Sequence, residues 1–313
     1  MARTFRPLDG VLLFDKPLEL SSNTALQKIR RLFQAEKAGH TGTLDPLATG
    51  LLPICFGEAT KFCYALLDAD KTYRALLRLG QTTSTGDAEG EILAEHPVEL
   101  QQRDIDAVLA TFRGEIQQLP PMYSALKHQG KPLYEYIRKG VTIERELRNV
   151  VIHKLVQNSF QVNQLDITVR CSKGTYIRTL AEDIGAALGC GAHLIGLKRT
   201  AIAHFNLQDG YNWQQLEAMT SAGRDACLLK PENLMPDMPR LFVDDVQIKR
   251  LAQGQRLGLD TGMKDGKVCL YGAQGFIGVG LLQGRRLSPE RLLSGVAKQA
   301  AGVNPMENIG VEQ

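Results

Sequence analysis

No two of the six cysteines stand at C-x-x-C spacing, and no apolar run approaches the length of a membrane span. The first absence argues against a zinc ribbon and a dense disulfide framework, so Cys55, Cys63, Cys171, Cys190, Cys227 and Cys269 are expected to be mostly small buried hydrophobes. The second argues against a spanning helix, because runs such as "GVLLF" fall far short of the roughly 20 residues a bilayer demands. The opening "MARTFRPLDG" lacks the apolar core of a signal peptide, and a reducing cytoplasm is the expected compartment. A large excess of either charge is lacking too: 37 Lys and Arg face 34 Asp and Glu, a balance that neither demands nor excludes a polyanionic partner. No second histidine lies at metal-ligand spacing from His40, so no metal site is expected.

What is present suits a globular chain. At 313 residues and 43% hydrophobic composition, one large domain with a smaller companion is the natural organisation. "GVLLF" reads as a buried strand, and "SSNTALQKIRRLF" as a capped helix with Ala25, Ile29, Leu32 and Phe33 on one face. "EATKFCYALLDAD" has helical spacing, whereas "KTYRALLRLG" alternates Tyr73, Ala75, Leu77 and Leu79 as a strand. Residues 101–112 predict a helix, "NVVIHKLVQ" and "QLDITVRCS" a strand pair, and "GTYIRTLAEDIGAALG" a helix ending at Gly189. Three prolines in "KPENLMPDMPR" mark a boundary, beyond which glycine-punctuated strands suggest a small β-barrel. The class is therefore α+β, with a domain over residues 1–232, an irregular insertion over about 120–149, and a second domain over 240–305.

Two segments invite a functional reading. "AGHTGTLDPLATG" is either a tight surface connection or a shaped loop presenting Asp45 as a reactive carboxylate. The insertion carries Lys127, Lys131, Arg138, Lys139, Arg145 and Arg148 interleaved with Tyr123, Tyr134 and Tyr136. Cations mixed with stacking aromatics suit RNA, and a solvated helix with a tyrosine-lined underside fits the same pattern.

"GHTGTLDPLATGLLPI", "DKTYRALLRLG" and "CSKGTYIRTLAEDIG", in that order, resemble signature segments of the TruB family of tRNA pseudouridine synthases. The likeness extends through "DGVLLFDKP", "TTSTGDAEG", "QLPPMYSALKHQGKPLYEYIRKG" and "LGCGAHLIGLKRT", and so covers nearly all of residues 10–200. Beyond Arg240 it is weaker, although the strands are similar to the family's PUA-type RNA-binding module. Ser84, where many members carry aspartate, and Ile137, where alanine is frequent, are small departures.

The resemblance implies a mixed-sheet pseudouridine synthase core that isomerises the uridine at position 55 of the tRNA T-loop, without a cofactor or obligate protein partner, as a monomer. It implies that Asp45 is the catalytic carboxylate, that Arg178 pairs with it in a bidentate ion pair, and that Tyr73 stacks on the base and helps remove the C5 proton. Tyr176 and Leu197 would line the uracil pocket, His40 would sit beside the flipped nucleotide, Asp87 would lie near the cleft and link Arg178 or the loop rather than do chemistry, and Lys16 with Pro17 would support the catalytic loop. A subunit directed by a separate guide RNA and a non-catalytic RNA-binding protein are the alternatives. The long insertion argues against the first, and the intact Asp45, Tyr73 and Arg178 against the second.

Overall fold

The computed structural model describes residues 5–124, 126–137 and 139–296. In chain order its principal elements up to residue 202 are β1 (Gly10–Lys16), α1 (Ser22–Leu32), β2 (Ala48–Phe56), β3 (Lys71–Leu79), α2 (Gln102–Thr111), β4 (Gly114–Gln118), β5 (Arg148–Gln161), β6 (Gln164–Cys171), α3 (Ile177–Ala187) and β7 (Ala192–Ile202). The strands form one mixed sheet in the order β1-β2-β7-β3-β6-β5-β4. Along it β7 runs parallel to β2, and the other neighbours pair antiparallel. Short strands Ala38–His40 and Phe205–Asn206 pair with β2 and β7.

Apolar spacing explains how the helices dock. Ser21 caps α1, its hydroxyl accepting from the Thr24 amide at 3.1 Å, and the helix lays Ala25, Leu26 and Ile29 over Leu12, Phe14, Leu52 and Ile54. On the same sheet face, α2 offers Ile105 and Leu109, and α3 offers Ile177, Leu180 and Ile184, to Ala75, Leu77, Ile167 and Val169. Each large apolar side chain buried this way contributes about 1.5–3 kcal/mol.

Periodicity does not predict β7. Its text, "AHLIGLKRTAI", breaks the apolar alternation with Gly196, Lys198 and Arg199. The helix expected from Glu58 is instead a 3-10 segment, Gly57–Phe62, followed by one α-helical turn, Tyr64–Leu67. The buried ammonium of Lys71 accounts for the early stop: it donates to the carbonyls of Leu66, Leu67 and Ala69, taking up acceptors that would otherwise continue the helix.

After the proline-rich stretch come β8 (Arg240–Phe242), α4 (Asp245–Ala252), β9 (Leu257–Gly258), β10 (Gly266–Gly272), β11 (Gly275–Gln283) and β12 (Arg286–Leu292). Their sheet, β8-β10-β11-β12-β9, is a curled half-barrel around Leu257, Val268, Leu270, Leu282 and Leu287. It abuts the main sheet through Cys269 and Val279, which cluster with Val11, Leu13 and Leu51, and through Phe62 and Phe276, whose rings lie 5.3 Å apart edge to face. Residues 297–305 of the expected second domain lie outside the described residues.

The register sets up one row of consequence. Lys16 opposes Gly50, Gly50 opposes Arg199, Arg199 opposes Tyr73, and Tyr73 opposes Val169, so these five residues cross β1, β2, β7, β3 and β6 on one face. Gly50 adopts φ +100°, and a Cβ there would stand 2.3 Å from the Arg199 carbonyl oxygen. Gly50→Ala should therefore destabilise the fold by at least about 2 kcal/mol, read as a fall in the urea midpoint. Gly258→Ala, whose Cβ would meet open space, should change stability by less than about 0.5 kcal/mol. An unmoved midpoint in the first variant would remove the steric argument.

Candidate active site

Arg178 lies in the first turn of α3 and is 8% exposed, so its guanidinium must find acceptors within the protein. It finds them on three separate segments. Nη2 is 3.0 Å from Asp45 Oδ2, Nη1 donates to Asp87 Oδ2 at 3.2 Å, and Nη2 also donates to the Tyr123 carbonyl. The bidentate Asp45–Arg178 pair expected from the sequence is not what forms. The two carboxylates divide the guanidinium between them, because Asp87 is itself buried and needs a cation.

The two acids differ in their surroundings. The Asp87 side chain is 4% exposed, and its Oδ1 accepts from the Thr85 hydroxyl and from the Glu89 amide at 3.1 Å. The Asp45 side chain is 53% exposed, and its Oδ1 has no hydrogen-bond partner among the described residues. One oxygen of Asp45 is thus anchored and the other is free for a reactant.

Lys16 is fully buried and donates to the carbonyls of Pro17 at 2.9 Å and Leu20 at 2.6 Å. It closes the turn that holds Glu19, whose amide donates to Pro46 O at 3.0 Å beside Asp45. Burial lowers its pKa to about 8; the Asp45 carboxylate opposes that fall and Arg199 adds to it. Tyr73 is half-buried in the row described above, and burial raises its hydroxyl pKa against the pull of Arg199. Burial likewise raises Tyr176, the N-cap residue of α3. The charge of Asp45 bears on Lys16, Tyr73 and Tyr176 alike, which places all three around it. Leu197 lies between Ala48 and Ala75 across β7, one cross-strand row from Arg199. His40 ends the short strand before the loop; burial and then Arg199 lower its pKa, and its Nδ1 is buried without a partner among the described residues.

Sequence reasoning missed two residues. Buried Gln118 holds the Tyr176 backbone from both sides, accepting from its amide at 3.0 Å and donating to its carbonyl at 3.3 Å. Arg199, 1% exposed, donates to Leu51 O and Gly42 O at 2.8 Å each. An arginine within an apolar strand was the available signal for it.

The insertion forms a small hairpin, Lys127–His128 with Lys131–Pro132, and a short helix, Leu133–Ile137. Lys127, Lys131 and Lys139 are exposed, whereas Arg145 is drawn inward to the Pro120 carbonyl at 2.8 Å. Arg138 lies outside the described residues. Ser84, a departure from the family pattern, still closes its loop by accepting from the Glu91 amide at 3.1 Å. Among the described residues, no cluster of three or more His, Cys, Asp or Glu side chains could hold a metal ion, and no helix is long and apolar enough to cross a membrane.

A mixed α+β fold with a curled half-barrel, and an aspartate loop set against a buried arginine, define a pseudouridine synthase architecture. Residues 30–177 match the TruB family pseudouridylate synthase N-terminal domain, residues 178–233 the tRNA pseudouridylate synthase B C-terminal domain, and residues 239–293 the C-terminal domain of pseudouridine synthase II TruB. The chain is 54% identical over 293 residues to tRNA pseudouridine synthase B of Methylobacillus flagellatus, covering 93% of this chain and 97% of that one. It is 52% identical to the protein of that name from Chromobacterium violaceum, covering 94% and 97%. A chain in the crystal structure of a Cbf5-Nop10-Gar1 complex superposes with a TM-score of 0.69 at 25% identity, covering 93% of this chain and 85% of that one. The archaeal box H/ACA sRNP Nop10-Cbf5 complex gives 0.68 at 23%, covering 93% and 89%, a likeness of fold. The chain belongs to the TruB family of pseudouridine synthases.

The buried Lys16 yields a test of this electrostatic neighbourhood. Its folded-state pKa lies below that of the unfolded chain, so the penalty for the buried ammonium is present in full below about pH 8 and is relieved as pH rises toward 10.5. Relative to Lys16→Met, the wild-type chain should gain stability over that window, on the order of 1–3 kcal/mol. Urea denaturation of both proteins at several pH values measures it; a difference independent of pH would show that Lys16 is solvated.

Proposed function

We propose that this chain converts the uridine at position 55 in the tRNA T-loop to pseudouridine. The observation that carries the reading is the asymmetric sharing of Arg178: Asp87 is locked away, and Asp45 is held by one oxygen with the other free. In the reaction the C1′–N1 bond breaks, the uracil turns in its pocket, and C5 bonds to C1′. Asp45 starts it, either by adding to an electrophilic carbon or by assisting loss of the base through the sugar. Arg178 holds and aims that carboxylate. Tyr73 stacks on the base and takes part in removing the C5 proton, while Tyr176 and Leu197 wall the pocket. The unpartnered Nδ1 of His40 supports a place for that side chain beside the flipped nucleotide. Lys16 braces the turn behind the Asp45 loop.

Residues 1–232 form the catalytic domain in this reading, and residues 240–305 form a PUA-type RNA-binding domain. The insertion over 120–149 clamps the T-arm, and the protein works in the cytoplasm as a monomer, without a cofactor, guide RNA or obligate protein partner. Relatives above 50% identity carry the name tRNA pseudouridine synthase B, which favours a tRNA substrate over guided modification.

Asp45→Asn should abolish conversion of a T-arm transcript, assayed by carbodiimide mapping, and leave RNA affinity within about threefold of wild type. Substantial turnover would remove Asp45 from its role. Replacing Lys127, Lys131 and Lys139 together with alanine should weaken binding and lower the salt slope by roughly 0.7–0.9 for each lysine that neutralises a phosphate. An unchanged slope would make these lysines a solvated face.

A further inference from the structure

Arg199 is a buried cation that no carboxylate among the described residues pairs with; its acceptors are the carbonyls of Leu51 and Gly42. Lys16, also fully buried, is likewise satisfied by carbonyls alone. The two stand in the same cross-strand row, separated by Gly50, which puts no side chain between them. Gly42, at φ +73°, lets the guanidinium lie against the loop three residues before Asp45, since a Cβ there would come within 3.2 Å of Nη1. Tyr73 is next in the row. Arg178, by contrast, is matched by two carboxylates. The site therefore holds positive charge in excess beside the base-stacking tyrosine. Burying unpaired charge is costly, and a protein that only needed to tie Gly42 to Leu51 could do so with a neutral donor.

We propose that Arg199, with Lys16 beside it, supplies a fixed positive field that stabilises the uracil anion formed when the C1′–N1 bond of the target nucleotide breaks. This rests on the reaction proposed above. The bonding pair leaves with N1, so the detached base carries one negative charge spread over N1, O2 and O4. C1′ is left electron-poor until the Asp45 carboxylate captures it or a C2′ proton departs to that carboxylate. When C5 bonds to C1′ the Asp45 oxygen leaves C1′, or the C2′ proton returns from the carboxylate, so the electron pair of the base is spent in the new bond. The C5 proton is then lost and N1 takes one up, which leaves a neutral base. Arg199 acts through its field and through the position of Tyr73, so it is a positioning residue in this scheme.

The test compares leaving groups. T-arm transcripts carrying uridine or 5-fluorouridine at the target are incubated in single turnover with wild type, Arg199→Gln and Arg199→Lys, and glycosidic rearrangement is followed by digestion and mass spectrometry. Fluorine makes the departing base a weaker base that needs less help from the field. Arg199→Gln should slow the uridine substrate by about 30-fold or more and the 5-fluorouridine substrate by less than about 5-fold, with RNA affinity little changed. Arg199→Lys, which keeps the charge, should stay within about 5-fold of wild type on both. Equal losses on the two substrates, or a lysine variant as slow as the glutamine one, would overturn the proposal and leave Arg199 as a tie for the loop. If Arg199→Gln does not fold, Lys16→Met, which removes the second charge of the row, decides in its place: a larger loss on uridine than on 5-fluorouridine supports the field, and an equal loss on both substrates refutes it. A wild-type protein that fails to convert uridine would instead refute the reaction itself.

Discussion

A buried guanidinium has five N–H groups to satisfy and a charge to balance, and the requirements of Arg178 organise the site. Its acceptors come from the Asp45 loop, the Asp87 loop and the backbone at Tyr123, while α3 delivers the arginine itself. Four segments far apart in sequence are therefore fixed relative to one another by one side chain. Removing Asp87 leaves a buried charge short of a buried partner, a loss of several kcal/mol in comparable settings, so Asp87 supports the arginine that holds Asp45. Asp87 in turn depends on Thr85 and on the Glu89 amide, and its loop is bound to β7 through Leu194.

The glycines of "AGHTGTLDPLATG" have a separate cause. Gly50 lies where the parallel strands β2 and β7 meet closely at Arg199, and Gly42 lies under the Arg199 guanidinium. The loop's composition thus records the shape of a strand about 150 residues downstream, a distance apparent from the numbering of the two ends. Local turn chemistry describes how such a loop bends, whereas this tertiary contact decides where glycine is required.

Elements whose period matched their environment were legible in the sequence: α1, β3, α3 and the β5–β6 pair follow from spacing alone. β7 was not, because a strand that carries Lys198 and Arg199 through the centre of a sheet violates the apolar pattern expected there. The candidate site residues came from motif resemblance rather than from periodicity, and of these Arg178, Lys16, Tyr73 and Tyr176 lie near enough to Asp45 to meet its charge. The resemblance already pointed to Asp87 as a link to Arg178 or the loop; what no motif conveyed was Gln118 clamping Tyr176, and Arg199 without an acid among the described residues. Each of these depends on which side chains end up buried together, a property of the assembled sheet face.

Two carboxylates sharing one arginine invite comparison with a glycosidase, where a pair of acids flanks the scissile bond and one of them manages water. Burial separates the cases. Asp87 is 3% exposed, its oxygens are committed to Arg178, Thr85 and the Glu89 amide, and it cannot reach a sugar or activate a solvent molecule. Of the two acids on Arg178, Asp45 is the exposed one. In the reaction proposed above that one free carboxylate opens the glycosidic bond, and Asp87 is not placed to deliver water to the opened sugar. On that proposed reading, a detached base kept in the pocket is the nearest nucleophile for C1′, which favours carbon–nitrogen cleavage followed by carbon–carbon bond formation over hydrolysis.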